Sequence, residues 1–407
     1  MESGNQRVTC IKCKVLPSDI KIRQANFCKS CFQLNFITKF KSNLARSAAP
    51  QTEKRPNLLV AFSGGNSSRA LLQLCSDFQT PGSGTKLQQK YNEMLILHLD
   101  ESAIFEDQDA EKSIMEIIEK YPFKCITKKL EDVFSSSRYS KFVSKTTNSK
   151  GLFFSHSLEK ETNESPKDLL VKLFEGIKST TSKEYMLECI KHHLLLEAAR
   201  ENGCEVIAVG NSATRIAVKS ILMTSEGRGF SLPFDVGAES TLEEDVYIVR
   251  PLRSSLSKEI VYYNNLLGLE SVTIPTFSTK ANANSKIMSL GYLTENFISG
   301  LDLEYSATVP TVTSTVGKLK VNANATTNKK CLICLAPIGD NASTWRKNVT
   351  IDSLDNTLKE LKDDSSKIDE NIKDENLVNV ENSLCYSCLS LASDTENDTI
   401  LPGFVQI

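Results

Sequence analysis

The chain has 407 residues, more than one typical domain needs, so its length predicts two or three folding units. The composition is typical of a soluble protein, with 40% hydrophobic residues, 24% charged residues and a formal net charge of -2. The first thirty residues contain no apolar core of a signal peptide, and no stretch approaches about 18 consecutive apolar residues. The sequence therefore argues against secretion and membrane insertion, and it predicts a cytoplasmic location with reduced cysteines.

Charge is unevenly distributed along the chain. Residues 1–56 carry eleven Lys or Arg and three acids, a local balance of +8. Residues 351–381 carry ten acids and four Lys, a local balance of -6. A basic arm suits a polyanion such as RNA, because each neutralised phosphate releases a counterion. A solvated basic surface without a partner is the alternative that the charge leaves open.

Two pairs of cysteines stand near the N-terminus, Cys10-x2-Cys13 and Cys28-x2-Cys31. A two-residue gap lets both sulfurs of a pair face one tetrahedral ion, and two pairs complete a four-thiolate shell with no open position for water. This spacing predicts a structural zinc site. We therefore expect a zinc-binding module at residues 1–35, followed by a basic linker at residues 36–56.

A second set of cysteines lies near the C-terminus, Cys331-x2-Cys334 and Cys385-x2-Cys388, with fifty residues between the pairs. We expect a linker at residues 302–330, extended over 305–330, and a second zinc-binding module at residues 331–407 from which the acidic insert 351–381 loops out. Pairs from the two ends of the chain could also share ions. The other four cysteines fall on predicted helices or strands, where cysteine acts as a small hydrophobe: Cys75, Cys125, Cys189 and Cys204.

Short apolar runs alternate with helical patterns between residues 57 and 301. Strands are predicted at Leu58–Phe62, Met94–Leu99, Lys124–Thr127, Val206–Val209 and Val246–Val249. Helices are predicted at Ser67–Cys75, Gln108–Tyr121 and Glu184–Asn202. Strand alternating with helix indicates an α/β fold with a doubly wound parallel sheet, which binds ligands at the carboxyl ends of its strands. Residues 135–166, rich in Ser, Thr and Lys, read as a long, partly mobile insertion.

The first predicted strand runs into Ser63-Gly64-Gly65-Asn66-Ser67-Ser68. Two glycines let the backbone approach an anion closely, and the helix that follows presents unpaired N–H groups at its start. No lysine follows the second glycine, so the segment is not a Walker loop. The residues alone fit a phosphate loop and a serine-capped helix about equally well.

The segment resembles the pyrophosphate loop of the PP-loop (N-type ATP pyrophosphatase) family, whose usual form is Ser-Gly-Gly-x-Asp-Ser/Thr. Ser63, Gly64, Gly65 and Ser68 match that form. Ser67 replaces the aspartate, and Asn66 stands where tRNA-thiolating members usually carry lysine. Losing a carboxylate and a cation removes the groups expected to bind magnesium and triphosphate. The resemblance therefore implies no catalytic residues in this loop, and it puts ATP binding and ATP turnover by this chain alone in question.

Later segments extend the resemblance. Val209–Arg215 falls where active members carry a Gly-His-x-x-Asp-Asp type motif, and here the acidic pair is absent. Arg250-Pro251-Leu252 and Ser257-Lys258-Glu259-Ile260 match later family elements. Sulfur-transferring members also use a Cys-x-x-Cys before the fourth strand and one further cysteine, whereas this chain has Cys189 in the first region and no cysteine from 205 to 330. Together with the terminal cysteine pairs, these features are similar to the second-subunit family of cytoplasmic tRNA 2-thiolation proteins.

Membership of that family implies a heterodimer with a catalytic PP-loop subunit that retains the aspartate and the domain cysteines. The complex would replace the C2 oxygen of the wobble uridine (U34) of cytosolic tRNAs with sulfur, after ATP activates that oxygen by adenylation. A ubiquitin-like carrier ending in a thiocarboxylate would supply the sulfur. This chain would stabilise its partner and contact tRNA phosphates through basic residues of its N-terminal arm: Lys12, Lys14, Lys21, Arg23 and Lys29.

Two other functions compete with this interpretation. A self-sufficient adenylating PP-loop enzyme would need carboxylates near Ser63 to bind magnesium, and acids of the insertion could provide them. A zinc-finger scaffold of the ubiquitin-ligase type would use the two cysteine sets alone. That alternative leaves the α/β region unexplained, and its fingers would interleave eight ligands in a compact span.

Overall fold

The structure is a computed structural model of the chain. It describes residues 8–47, 55–79, 90–106, 108–135, 143–148, 151–156, 164–243, 245–277, 288–319, 329–338 and 377–405. Most of the predicted acidic insert, residues 351–376, lies outside the described residues, as do parts of the predicted linkers and of the insertion. None of the described helices is both long and apolar enough to cross a bilayer.

Twelve strands and eleven α-helices are present in the described residues. The strands are β1 (Ile20–Ile22), β2 (Ala25–Phe27), β3 (Leu58–Ala61), β4 (Met94–Asp100), β5 (Lys124–Lys129), β6 (Val143–Asn148), β7 (Gly151–His156), β8 (Val206–Ala208), β9 (Glu239–Glu243), β10 (Val246–Val249), β11 (Leu377–Asn379) and β12 (Ile400–Leu401). The helices are α1 (Lys29–Arg46), α2 (Asn66–Gln79), α3 (Gln108–Ile118), α4 (Pro166–Glu175), α5 (Thr180–Glu201), α6 (Ala213–Ser225), α7 (Leu232–Val236), α8 (Ser257–Leu267), α9 (Leu290–Glu304), α10 (Thr308–Val316) and α11 (Tyr386–Asp394).

The described elements belong to two compact units. The first unit contains Met1–Asp132, Ile190–Ser225 and Gly229–Lys320, and the second contains Val133–Cys189, Glu226–Arg228 and Val321–Ile407. The domain boundaries expected at residues 35, 56, 301 and 330 stay predictions.

A six-stranded sheet forms the centre of the first unit, in the order β5-β4-β3-β8-β10-β9. Neighbouring strands from β5 to β10 run parallel, and β9 joins the edge antiparallel to β10. The five predicted strands are all present, and each ends within two residues of its expected bounds. The predicted α/β fold with a parallel central sheet is therefore confirmed. The chain crosses from one side of β3 to the other between β5 and β8, which places the switch point of the sheet between β3 and β8.

Helix α1, which follows the N-terminal cysteines, is packed into the first unit. Its residues Phe32, Phe36, Phe40 and Leu44 recur every four positions and are all buried in one cluster with the sheet residues. The Phe36 ring stacks on Tyr263 of α8 at 4.6 Å between ring centroids. The apolar stripe of α1 therefore connects the N-terminal cysteine segment to the α/β core.

The second unit contains a four-stranded antiparallel sheet in the order β11-β7-β6-β12. Strands β6 and β7 form a hairpin inside the predicted insertion, and β11 and β12 come from the C-terminal segment. Buried residues of the hairpin include Val143, Leu152 and Phe154. Two segments of the insertion thus have regular structure because they pair with strands more than two hundred residues away.

Residues 308–316 form helix α10, so the expectation of an extended linker over 305–330 is wrong for this segment. Its threonines and valines favour strands. However, Val309, Thr313 and Val316 share one helical face and are buried in the first unit. Pro310 lies in the first turn, where a missing N–H breaks no helical hydrogen bond.

Candidate functional site and metal centres

The serine-glycine loop lies at the carboxyl end of β3, beside the switch point of the sheet. It connects β3 to α2, while the segment after β8 approaches it from the neighbouring strand. A Cβ placed on Gly210 would stand 3.0 Å from the backbone N of Ser68 and from the backbone C of Ser67. Glycine at this position therefore lets the second segment contact the start of α2 directly.

The loop satisfies its own polar groups. The Ser68 hydroxyl donates to the Gly65 carbonyl at 3.0 Å and accepts from the Ser63 backbone N–H at 3.3 Å. Gly64 has a φ of 77°, and a Cβ there would lie 2.7 Å from Cγ1 of Ile114 in α3. The structure thus brings the predicted loop residues Ser63, Gly64, Gly65 and Ser68 together in a tight turn before a helix.

The segment Glu270–Val272 holds this loop from outside. The Val272 N–H donates to the Gly64 carbonyl at 3.0 Å, and the Ser271 hydroxyl donates to Oδ1 of Asn66 at 3.0 Å. Nδ2 of Asn264 also donates to the Asn66 carbonyl at 3.0 Å. Sequence reasoning missed this segment, because nothing in its composition marks it as a partner of the loop. Asn66 is thus hydrogen-bonded within the unit through both its side chain and its backbone carbonyl.

The later motif residues have contacts inside the first unit. The Ser212 hydroxyl accepts from the Arg215 N–H at 3.1 Å and caps α6. Nη1 of Arg250 donates to the Gly237 carbonyl at 3.2 Å. Glu259 is buried and binds Nζ of Lys39 at 2.7 Å. Ser212, Arg250 and Glu259 therefore each have a structural role within the first unit.

The N-terminal cysteines form one cluster. The four Sγ atoms of Cys10, Cys13, Cys28 and Cys31 all lie within 4.8 Å of one another. The first pair lies on a knuckle in which Lys14 N–H donates to the Cys10 carbonyl at 2.8 Å, and Lys14 has a φ of 56°. Cys28 is the N-cap residue of α1. Cys10 and Cys28 are buried, whereas Cys13 and Cys31 are half-buried.

The C-terminal cysteines form a second cluster with the same backbone construction. The Sγ atoms of Cys331, Cys334, Cys385 and Cys388 also lie within 4.8 Å of one another, and all four residues are buried. Leu335 repeats the role of Lys14, since its N–H donates to the Cys331 carbonyl at 3.0 Å and its φ is 59°. Cys385 is the N-cap of α11, as Cys28 is of α1. Each cluster uses cysteines from one end of the chain, so pairs from the two ends do not share a site.

Sulfur spacing in both clusters fits one tetrahedral ion. A tetrahedron with metal–sulfur bonds of about 2.3 Å has sulfur–sulfur edges of about 3.8 Å. The observed Sγ–Sγ distance is 3.9 Å for Cys13 and Cys28 and 3.7 Å for Cys334 and Cys385. Both donor sets can therefore bind a metal ion. They contain thiolates alone, without a vacant ligand position.

Hydrogen bonds between the thiols lower the pKa of some cysteines in each cluster and raise that of others, such as Cys31 and Cys385. Burial raises the pKa of Cys10, but backbone hydrogen bonds from Cys13, Cys28 and Lys12 outweigh it and lower the pKa to about 6. Burial also opposes ionisation of Cys331, and hydrogen bonds within its cluster bring its pKa well below the ordinary value. The thiolate is the metal-binding form, so each cluster contains a cysteine prepared for a cation.

The five predicted phosphate contacts lie around the N-terminal cluster. Lys12 and Lys14 are on the first knuckle, Lys21 and Arg23 are on the β1–β2 hairpin, and Lys29 begins α1. All five side chains are exposed, and none forms an ion pair with another residue in the described part of the chain. The structure thus places these cations on the surface of one small module.

The fold resembles a solved tRNA-modifying enzyme. The U34-tRNA thiolase NcsA from Methanococcus maripaludis, determined with its [4Fe-4S] cluster, covers 85% of this chain and 97% of its own, with a TM-score of 0.53 and 14% sequence identity. This likeness establishes the predicted PP-loop type of fold. The four thiolates of a cubane cluster bind four different iron atoms, whereas the Sγ spacing of each set here fits a single ion.

Sequence comparison gives the family. The family model described as Cytoplasmic tRNA 2-thiolation protein 2 matches residues 289–390. The protein 2-A of Xenopus laevis is 30% identical over 82% of this chain and 73% of its own length. The human protein is 27% identical over 82% and 72%, and that of Scheffersomyces stipitis is 26% identical over 96% and 90%. The predicted resemblance is confirmed, the relatives' names agree with the predicted cytoplasmic location, and the chain belongs to the cytoplasmic tRNA 2-thiolation protein 2 family.

Proposed function

We propose that this chain is the auxiliary subunit of a tRNA sulfurtransferase that 2-thiolates the wobble uridine of cytosolic tRNAs. Its relatives are named for tRNA 2-thiolation, and its fold is that of a U34-tRNA thiolase. The partner is a catalytic PP-loop subunit, and the sulfur donor is a thiocarboxylated ubiquitin-like carrier. This chain binds tRNA and stabilises its partner, and the partner catalyses the thiolation.

The residues of the serine-glycine loop and their hydrogen bonds are the main support for an auxiliary, non-catalytic role. Phosphoryl chemistry of ATP needs carboxylates for magnesium and cations for the phosphates. At these positions the chain has Ser67 and Asn66, and the Asn66 side chain is hydrogen-bonded to Ser271. The Ser63 backbone N–H, which could bind a phosphate oxygen, is bonded to the Ser68 hydroxyl. Such a loop supports the architecture of the unit without turning over ATP.

Both four-cysteine clusters are proposed to hold structural zinc. In the N-terminal cluster the ion is bound by Cys10, Cys13, Cys28 and Cys31, and in the C-terminal cluster by Cys331, Cys334, Cys385 and Cys388. Zinc bound by four thiolates supplies folding energy and no hydrolytic water. The N-terminal ion would fix the knuckle and hairpin that present the exposed cations to tRNA phosphates.

Thiolation assays with separated and combined subunits test the proposal. The chain alone, supplied with tRNA, ATP and a sulfur donor, is expected to release no pyrophosphate and to form no 2-thiouridine. Co-purification should identify a second PP-loop protein, and that partner with this chain should thiolate U34 more efficiently than the partner alone. Thiolation by the isolated chain would overturn the auxiliary role in favour of a self-sufficient enzyme.

A loop variant separates architecture from catalysis. Replacing Ser67 by alanine removes the hydroxyl at the aspartate position and keeps the backbone turn. We expect the S67A complex to retain thiolation, because no ATP chemistry depends on this position. Loss of thiolation with an intact complex would contradict the proposal that the loop is catalytically inert.

A further inference from the structure

The two four-cysteine clusters share a backbone construction but have different surroundings. In each, a knuckle with a left-handed residue supplies the first pair, and the start of a helix supplies the second. Cys13 and Cys31 of the N-terminal cluster are half-buried. The corresponding residues of the C-terminal cluster, Cys334 and Cys388, are buried. The difference therefore comes from what packs around the sulfurs.

Tyr185 of α5 lies against the C-terminal cluster. Its hydroxyl oxygen is 3.3 Å from Sγ of Cys388, and both residues are buried. A thiolate that binds a metal carries no proton, so the hydroxyl must donate and the sulfur must accept.

Arg228 fixes the orientation of the Tyr185 ring. Its guanidinium carbon lies 4.3 Å from the ring centroid, and the Arg228 side chain is buried. Gly227, with a φ of 74°, allows this turn to approach the cluster, since a Cβ there would stand 2.5 Å from Tyr386 beside Cys385. Nη1 of Arg228 also forms an ion pair with Glu226 at 3.6 Å, which helps to hold the guanidinium against the ring.

We propose that Tyr185 is a positioning residue that locks the C-terminal metal site, so that the two zinc ions of this chain differ in lability. The N-terminal site exchanges its metal and reacts with electrophiles first, because solvent reaches Cys13 and Cys31. The C-terminal site is protected by burial and by the Tyr185 hydrogen bond to Cys388. This inference rests on the proposal that both clusters hold zinc.

Site-resolved alkylation of the full-length chain tests the inference. The chain is incubated with N-ethylmaleimide and a zinc chelator, and peptide mass spectrometry follows each cysteine over time. In the wild type, Cys13 and Cys31 should react at least about tenfold faster than Cys334 and Cys388. Y185F should accelerate alkylation of the C-terminal cysteines by about tenfold, since loss of a hydrogen bond to a metal ligand weakens metal binding by about 10–100-fold.

The matched control is Y263F, which removes a hydroxyl from an equally buried tyrosine of the first unit. It should leave all eight alkylation rates unchanged, and Y185F should leave the N-terminal rates unchanged. The cobalt-loaded Y185F chain should also show its thiolate-to-cobalt charge-transfer band at longer wavelength, because a thiolate without a hydrogen bond is a stronger donor. A merely structural tyrosine would not move that band.

The outcomes separate the inference from the proposal on which it rests. A wild-type chain that holds no zinc would overturn the zinc assignment and the inference together. Two bound zinc ions with equal alkylation rates at the two clusters would overturn the inference alone. If Y185F left the alkylation rates of the C-terminal cysteines and the cobalt charge-transfer band unchanged, Tyr185 would not be the residue that protects this site.

Discussion

Lys39 and Glu259 form an ion pair of 2.7 Å between α1 and α8. The Glu259 side chain is 1% exposed and that of Lys39 is 27% exposed, so the carboxylate is buried while the ammonium reaches solvent. The second carboxylate oxygen, Oε1, has no hydrogen-bond partner among the described residues. Glu259 therefore depends on Lys39 for compensation of its charge, and the pair ties the helix after the N-terminal cysteines to the α/β core.

Replacing Lys39 by methionine should destabilise the first unit. The change keeps the aliphatic stem and removes the cation, which leaves a buried carboxylate uncompensated at a cost of about 3 kcal/mol. Urea unfolding of the full chain, followed by circular dichroism, measures the loss. K120M, at an exposed lysine after α3, serves as the control and should be neutral.

The double variant K39M/E259Q distinguishes charge burial from packing. A neutral amide at position 259 should recover much of the stability lost in K39M, because no buried charge then remains. If the double variant were as unstable as K39M alone, the ion pair would not be the reason for the loss.

Substitution by alanine should destabilise the protein at Gly64 and have little effect at Gly65. Gly64 has a left-handed φ of 77° and Ile114 at 2.7 Å from an added Cβ, so G64A should lose about 2 kcal/mol of unfolding free energy. An added Cβ on Gly65 meets its nearest atom at 3.9 Å, and G65A should be nearly neutral. Thermal unfolding of both variants is the measurement. Equal stability would show that the turn adapts, and the constraint on Gly64 would then be wrong.

Local sequence patterns were sufficient to predict the parallel sheet and the two four-cysteine clusters. Each predicted strand is a short apolar run between polar residues, as at Leu58–Ala61, so its pattern needs no distant partner. The two-residue gap within each cysteine pair likewise brings both sulfurs to one ion locally. Such local patterns predict the structure correctly because tertiary packing favours the same conformation as the local sequence.

Distant pairing could not be predicted from the sequence. Strand β6 lies in a segment rich in Ser, Thr and Lys, and it becomes regular by pairing with β12, where Val143 faces Leu401. Helix α10 forms from strand-favouring residues because Val309 and Thr313 bury one face. Tyr185 is a further case, since no spacing connects it to Cys388. For β6 and Tyr185, the contacting residues are more than two hundred positions away in the sequence. For α10, burial of one helical face overrides the preference of its residues for strands.

The exposed cations around the N-terminal cluster should control the salt dependence of tRNA binding. Replacing all five by alanine, at Lys12, Lys14, Lys21, Arg23 and Lys29, should reduce the slope of log affinity against log salt by about 3.5 to 4.5, because each lost phosphate contact removes about 0.7 to 0.9. Fluorescence anisotropy with labelled tRNA between about 50 and 200 mM salt gives the slope. The variant retains all eight cluster cysteines.

A control variant with five exposed lysines of other elements replaced by alanine, Lys112, Lys120, Lys129, Lys167 and Lys178, has the same change of net charge. Its salt slope should remain that of the wild type, since these residues lie on or next to α3, β5 and α4, away from the N-terminal cysteines in the chain. Equal loss of slope in both variants would mean that tRNA responds to net charge alone, and the N-terminal module would not be its binding surface.

The two metal centres should lose their ions independently. Each cluster draws its four sulfurs from one end of the chain, so Cys28→Ser should lower the zinc content of the purified complex by one ion, and Cys385→Ser should lower it by one ion as well. The double variant should lose two. Cys125→Ser, at a half-buried cysteine outside both clusters, should lose none. Elemental analysis against protein concentration measures all four. A separate four-thiolate shell can lose its ion without disturbing the other shell. Loss of both ions in either single variant would therefore contradict independence and mean that one site needs the other.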